Sequence, residues 1–339
     1  MPPSSRRARV VFRVAAGPRM GFGHLVRALS LAEALGVAPV VSVRGGRVAR
    51  AAAHRLGALV LPGGPAAAVL DAARPSVLVV DDRVASATAA WRARARALGV
   101  PIVSIHDLGL GLGDADLIVD GSIAVRPTLR PEVPALLGPD FAILNARCVS
   151  APRGRRGRPG PLVVIALGGG SRRVVALRLA CAIARRQPRA AIRIAGGFVP
   201  APSAHRPRRV TRVAPSRLGV ALSTADVAVV AGGITLYEAC ALGVPAVAVA
   251  IVPSQCPTVT AFAARGAAVD GGLLRPGGPD AAEALRRVGD QVARLLDDSV
   301  GRRRLARAAK AAVDGQGAAR VARAVARLLD RVACREEAR

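Results

Sequence analysis

Two glycine-rich stretches carry the residues with chemistry to offer. The first is Gly17-Pro18-Arg19-Met20-Gly21-Phe22-Gly23-His24-Leu25-Val26-Arg27, between an apolar run over 10–16 and an amphipathic segment over 25–35. A glycine turn between strand and helix lets a ligand approach the backbone and points free N–H groups at an anion or an oxygen-rich group. It also delivers His24 to the helix start, in the region where open α/β sheets bind ligands. The spacing Gly21-x-Gly23-His24 lacks the third glycine of a dinucleotide fingerprint. A tight turn with a capping histidine explains the same residues.

The second stretch is Gly232-Gly233-Ile234-Thr235-Leu236-Tyr237-Glu238. Its glycines, helix N-terminus and Thr235 hydroxyl suit a phosphate, and the Glu238 carboxylate suits the hydroxyls of a ribose. Thr235-x-x-Glu238 also has the spacing of a capping box, which would serve only the helix. Gly168-Gly169-Gly170-Ser171 is a further strand–glycine–helix junction. Two such junctions in one half of the chain favour nucleotide binding. Asp81-Asp82-Arg83 ends a strand, which turns Asp82 and Arg83 toward the cleft that holds His24; a strand-end turn is the alternative. Asp114-x-Asp116 reads as a solvated loop rather than a metal site.

The elements that must position these residues alternate. The first half predicts strands over 10–16, 38–43, 58–61, 77–81, 102–105 and 117–119, with helices over 25–35, 47–56, 66–73 and 87–98. Strands alternating with helices imply a parallel sheet, and unbroken Val/Leu/Ile runs fit strands buried on both faces. Periodicity fades over 121–139. Residues 151–161, rich in Gly, Pro and Arg, form the best boundary. The second half predicts strands over 162–167, 191–195, 210–213, 227–231 and 244–252. Its helices fall over 173–186, 218–223, 232–242, 258–265, 281–296, 302–313 and 318–332. The expectation is an α/β chain of two Rossmann-like domains, 1–150 and 151–339, with a cleft between them and a last helix free to pack back.

At 339 residues, 52% of them hydrophobic, the chain can fill two cores, and with 2% aromatics those cores are Ala, Val and Leu. The net charge of +28 raises nucleic acid as a partner. The charge is almost all arginine, with Lys310 the single lysine, and it is spread along helices without aromatic residues to stack on bases. Specific nucleic-acid binding is therefore not expected, whereas an arginine-rich surface can rest on an anionic membrane. Five dispersed cysteines and no C-x-x-C pair suggest neither zinc nor disulfides. The basic N-terminus is followed by an apolar run too short, and broken by Arg13, for a signal peptide, so the expected location is cytoplasmic.

Taken together, these motifs resemble the UDP-sugar hydrolase of pseudaminic acid biosynthesis and its spore-coat polysaccharide relatives, within the two-domain GT-B superfamily that includes MurG-like enzymes. The family's first motif, R-x-D-…-I-G-x-G-H-x-x-R, stands here as Arg13-Val14-Ala15 and Met20-Gly21-Phe22-Gly23-His24-Leu25-Val26-Arg27. Its uridine-diphosphate motif, G-G-S-T-x-x-E followed by G-x-P and N-Q, stands as Gly232-Gly233-Ile234-Thr235-Leu236-Tyr237-Glu238, Gly243-Val244-Pro245 and Ser254-Gln255. The chain departs from the pattern at Ala15, Ile234 and Ser254, at Arg172 in a G-G-S-D pattern, and at Arg83 where the hydrolase has a tyrosine.

The resemblance implies metal-independent, cofactor-free cleavage or transfer at the anomeric carbon of a UDP-linked amino or deoxy sugar, in surface polysaccharide or glycan biosynthesis. His24 would be the general base, as an imidazole suits proton transfer near neutral pH. Asp82 and Arg83 would assist it. Substrate would meet Arg13, Gly21, Gly23, Arg27, Gly169, Gly170, Ser171, Gly232, Gly233, Thr235, Glu238 and Gln255. The acceptor is water or an alcohol. A nucleotide-sugar-binding protein without turnover is the alternative, and the oligomeric state is not legible.

Overall fold

The computed structural model describes residues 9–109, 114–124, 133–154, 160–169, 172–198, 209–275, 278 and 280–337. The chain forms two α/β units, one from residues 1–143 with 316–339, the other from 144–315.

The first unit holds strands β1 (Val10–Ala15), β2 (Val40–Arg44), β3 (Leu59–Val60), β4 (Val77–Asp81), β5 (Ile102–Ile105), β6 (Leu117–Asp120) and β7 (Ala135–Leu137). Between them run helices α1 (Gly23–Leu35), α2 (Arg47–Arg55), α3 (Ala66–Ala73) and α4 (Ala85–Ala97). The strands form one parallel sheet in the order β3-β2-β1-β4-β5-β6-β7. The order reverses at β1, so the crevice beyond the carboxyl ends of β1 and β4 is the switch point where such sheets bind ligands. Every residue of β4 and β5 is buried, as their unbroken apolar runs require. β7 was not expected; it is three half-buried residues at the sheet edge.

The second unit holds α5 (Ala146–Val149), β8 (Leu162–Ala166), α6 (Arg173–Arg186), β9 (Ala191–Ala195), β10 (Val210–Val213), α7 (Leu218–Ser223), β11 (Val227–Ala231) and α8 (Ile234–Ala241). It continues through β12 (Ala246–Ala250), α9 (Cys256–Ala264), β13 (Val269–Leu273), α10 (Ala281–Asp297) and α11 (Ser299–Ala312). Its parallel sheet runs β10-β9-β8-β11-β12-β13, with the switch point between β8 and β11. Val163, Ile165, Val229 and Val247 of this sheet pack with Leu179, Ile183, Val288 and Val292 of α6 and α10. The edge strand β13 was missed, because its Asp-Gly-Gly centre carries no strand pattern.

The division falls between Ile143 and Leu144, upstream of the arginine-rich segment expected to mark it. The reason is local packing. α5 lies so close on α7 that a Cβ at Gly219 would sit 2.6 Å from the Cys148 Cα. The last helix, α12 (Gly317–Glu337), returns to the first unit and packs on α1. Its Val321 and Val325 are fully buried, and a Cβ at Gly317 would collide with the Ala142 backbone. Among the described residues, no helix is long and apolar enough to cross a membrane.

Candidate active site

In the first unit the glycine turn leaving β1 closes on itself. Gly17 N–H donates to Gly21 O at 2.9 Å, and Gly21 N–H returns to Gly17 O at 2.7 Å. Gly21 has φ +85°, which side chains resist. Buried Phe22 anchors the turn as the N-cap residue of α1 and provides no side-chain cap. His24 is the second residue of the helix, and its imidazole points away from the helix backbone. Nδ1 lies 2.7 Å from Oδ1 of Asp81, the last residue of β4. The capping alternative for His24 therefore falls.

The electrostatics choose the tautomer. Asp81 is 1% exposed, and its carboxylate also accepts from Arg27 Nε at 2.7 Å and Nη2 at 2.6 Å. Burial alone would raise its pKa, but the charge of Arg27 and the hydrogen bonds from His24 and Arg27 outweigh burial and hold it below the usual carboxylate range. An ionised Asp81 demands a proton on His24 Nδ1, since two lone pairs at 2.7 Å would repel; Arg27 Nη2 also lies 3.1 Å from Nδ1, but its two hydrogens go to Asp81 Oδ1 at 2.6 Å and Asp107 Oδ2 at 3.3 Å. That leaves Nε2 as the basic nitrogen, with no protein partner among the described residues. Arg27 completes the cluster by donating from Nη1 to Asp107 Oδ1 at 2.7 Å. Asp107 follows β5, and Arg27 overrides burial to hold its pKa down as well.

The sequence-predicted residues divide accordingly. His24 is in place, but the carboxylate it meets is Asp81, not Asp82. Asp82 is buried against Arg44, which donates from Nε at 2.5 Å and Nη2 at 2.7 Å, and it accepts from Val84 N–H. Successive strand residues face opposite ways, so the neighbouring aspartates belong to different clusters. Arg27, expected on substrate, is committed to the two aspartates. Arg13 donates to Ser42 Oγ at 3.0 Å and stacks on Trp91, with its Nε unpartnered. Arg83 is exposed and acts on the cluster through its field at Asp107. Gly23 is required neither by φ nor by packing, as a Cβ there would meet nothing within 4 Å. Asp114 and Asp116 are both held by Arg96.

In the second unit both glycine junctions leave the switch-point strands. Gly168 has φ +91°, and Gly169 O accepts from Phe198 N–H at 2.9 Å; Gly170 and Ser171 lie outside the described residues. Gly232 is fixed by packing, since a Cβ would lie 2.6 Å from Val259 Cγ2. Gln255 Oε1 accepts from Ile251 N–H at 2.8 Å, while its Nε2 lies beside Gly233. The capping box does not form. Gly233 is the N-cap of α8, no side chain caps it, and Thr235 is buried in the first turn. Glu238 is 4% exposed and lies beside the Cys148 thiol of α5. Burial is the main cause of its raised pKa, which stands at about 7.

Two doubly wound parallel-sheet units in succession define the GT-B fold of the glycosyltransferases. The chain is similar to the spinosyn rhamnosyltransferase SpnG complexed with thymidine diphosphate, with TM-score 0.62 and 19% identity, over 95% of this chain and 100% of that one. It is similar also to the kitacinnamycin glycotransferase (TM-score 0.65, 16% identity, 96% and 100% covered) and to Acinetobacter baumannii MurG (0.60, 16%, 94% and 99%). At these identities the likeness is one of fold. A 52-residue stretch is 50% identical to the spore coat polysaccharide biosynthesis protein SpsG of Bacillus subtilis (strain 168), covering 15% of each chain. No family model matches.

Proposed function

We propose that the chain is a nucleotide-sugar-dependent enzyme of glycan biosynthesis that breaks the bond between the anomeric carbon and the diphosphate of a UDP-sugar. The observation that carries this reading is the His24–Asp81 pair at the β1/β4 switch point, with Nε2 left basic and unengaged. Nε2 takes the proton of an acceptor O–H, water or an alcohol, as its oxygen bonds to the anomeric carbon. Asp81 stabilises the imidazolium that forms. The carbon–oxygen bond to the diphosphate breaks with its electron pair going to the leaving group. Backbone N–H groups at the starts of α6 and α8 stabilise that charge, and Glu238 holds the ribose. The short SpsG-like stretch supports polysaccharide biosynthesis as the setting.

The test is incubation with a panel of UDP- and dTDP-sugars, following nucleoside diphosphate release with and without alcohol acceptors. Release without an acceptor identifies hydrolysis, and release only with one identifies transfer. Binding without release in every combination would overturn the enzymatic reading in favour of a binding protein.

A further inference from the structure

We propose that α11 is a docking surface for the anionic headgroups of a lipid bilayer. Its sequence, Ser299 to Ala312, holds five cations and no carboxylate. Arg302 turns inward and donates to the Leu295 and Leu296 carbonyls. The other four, Arg303, Arg304, Arg307 and Lys310, are exposed. At 100° per residue they fall within an arc of about 120°, together with Val300 and Ala311. The opposite side carries buried Ala309 and the partly buried Leu305 that packs on the core of the second unit.

What sets this arc apart is four exposed cations on one helix face with no carboxylate interleaved. On α4, Arg94 pairs with Asp71 and Arg96 with Asp114 and Asp116. On α10, Arg286 pairs with Glu283 and Asp290. Among the described residues none of the four α11 cations has a carboxylate in salt-bridge range. The carboxylates just ahead of the helix, Asp297 and Asp298, accept from the Gln187 amide and the Gly301 N–H rather than from these cations. The Lys310 stem lies along Gly243 and keeps the ammonium outward.

A straight ridge of like charge fits a flat anionic surface. It has no aromatic side chain to stack on bases, which disfavours a single-stranded nucleic acid. Val300, 66% exposed at one end of the same arc, supplies an apolar side chain for the headgroup boundary. Each cation near such a surface is worth about fivefold in partitioning, so the four together supply up to several hundredfold.

The experiment is flotation of the full chain at physiological salt with vesicles of phosphatidylcholine alone or with about a third phosphatidylglycerol. Wild type should float only with the anionic vesicles. Changing Arg303, Arg304, Arg307 and Lys310 to Gln should weaken binding at least tenfold. Changing four exposed arginines elsewhere, Arg178, Arg185, Arg189 and Arg217, to Gln should weaken it far less. The paired half-variants, Arg303/Arg304 and Arg307/Lys310, should fall between and serve if the fourfold variant misfolds. Equal loss in both fourfold variants would mean that net charge alone is read. Unchanged binding by the α11 variant, no binding by wild type, or α11-dependent binding to duplex DNA in preference to vesicles would each overturn the proposal.

Discussion

Replacing Asp81 by Asn tests the geometry of the first unit most severely. The carboxylate accepts three hydrogen bonds, from His24 Nδ1 and from Arg27 Nε and Nη2, at 2.6–2.7 Å. Asn keeps the shape but loses the charge, and its amide N–H₂ turns one acceptor into a donor facing a donor. Removing one partner of a buried ion pair costs about 3–5 kcal/mol. For a domain of this size that lowers Tm by about 10 °C. Trp91 is the single tryptophan and lies in the first unit, so its fluorescence reports that unit's unfolding. Asp81 and Asp107 are both held below their unfolded pKa values, so their stabilisation is complete above about pH 4 and lost as pH falls through the folded values. The gap between wild type and Asp81→Asn should therefore shrink on acidification. ¹⁵N shifts should show His24 protonated at Nδ1 in the neutral wild type and released from that tautomer in the variant. A variant melting within a degree of wild type, with His24 still protonated at Nδ1, would refute the reasoning.

Other expectations separate structural from functional roles. Glu238 has a folded pKa of about 7, above its unfolded value, so the folded state holds the extra proton and loses stability as pH rises from about 4.5 through 7. Glu238→Gln should remove this loss, gaining up to about 3 kcal/mol over wild type at pH 8 and nothing at pH 4, read from urea midpoints; parallel pH profiles would contradict the burial. Gly21→Ala should cost about 1–2 kcal/mol for its positive φ, while Gly23→Ala should fold normally yet lower turnover by crowding the ligand. Thermal melts and initial rates distinguish the two, and full turnover in Gly23→Ala would contradict a close approach of the ligand to that glycine.

Most of the architecture was legible because long buried strands advertise themselves. β4, β5, β9, β10 and β11 and helices α3, α6 and α7 lie where periodicity and apolar runs place them. β13 was invisible because Gly271 must slide under Val247 and Val249 and Gly272 takes φ +78°, so glycine stands where a strand signal would. At the site, His24 was readable from its glycine turn. Its partner was not, because Asp81 and Asp82 are adjacent and only the register against β1 decides which faces α1. Asp107 carried a signal, an acidic residue just past a strand, but its meaning needed β5 to lie beside β4. Arg27 was read as a ligand contact because the motif shows a cation and cannot show two aspartates already holding it.

The most direct measurement is turnover of the His24→Ala variant on whichever UDP-sugar the wild type consumes, alongside its affinity for UDP. In the proposed mechanism His24 acts through Nε2 in proton transfer, and the proposed nucleotide contacts lie in the other unit. UDP release should fall about a hundredfold or more while the UDP Kd stays at the wild-type value. Release at the wild-type rate from a folded His24→Ala variant would contradict the mechanism.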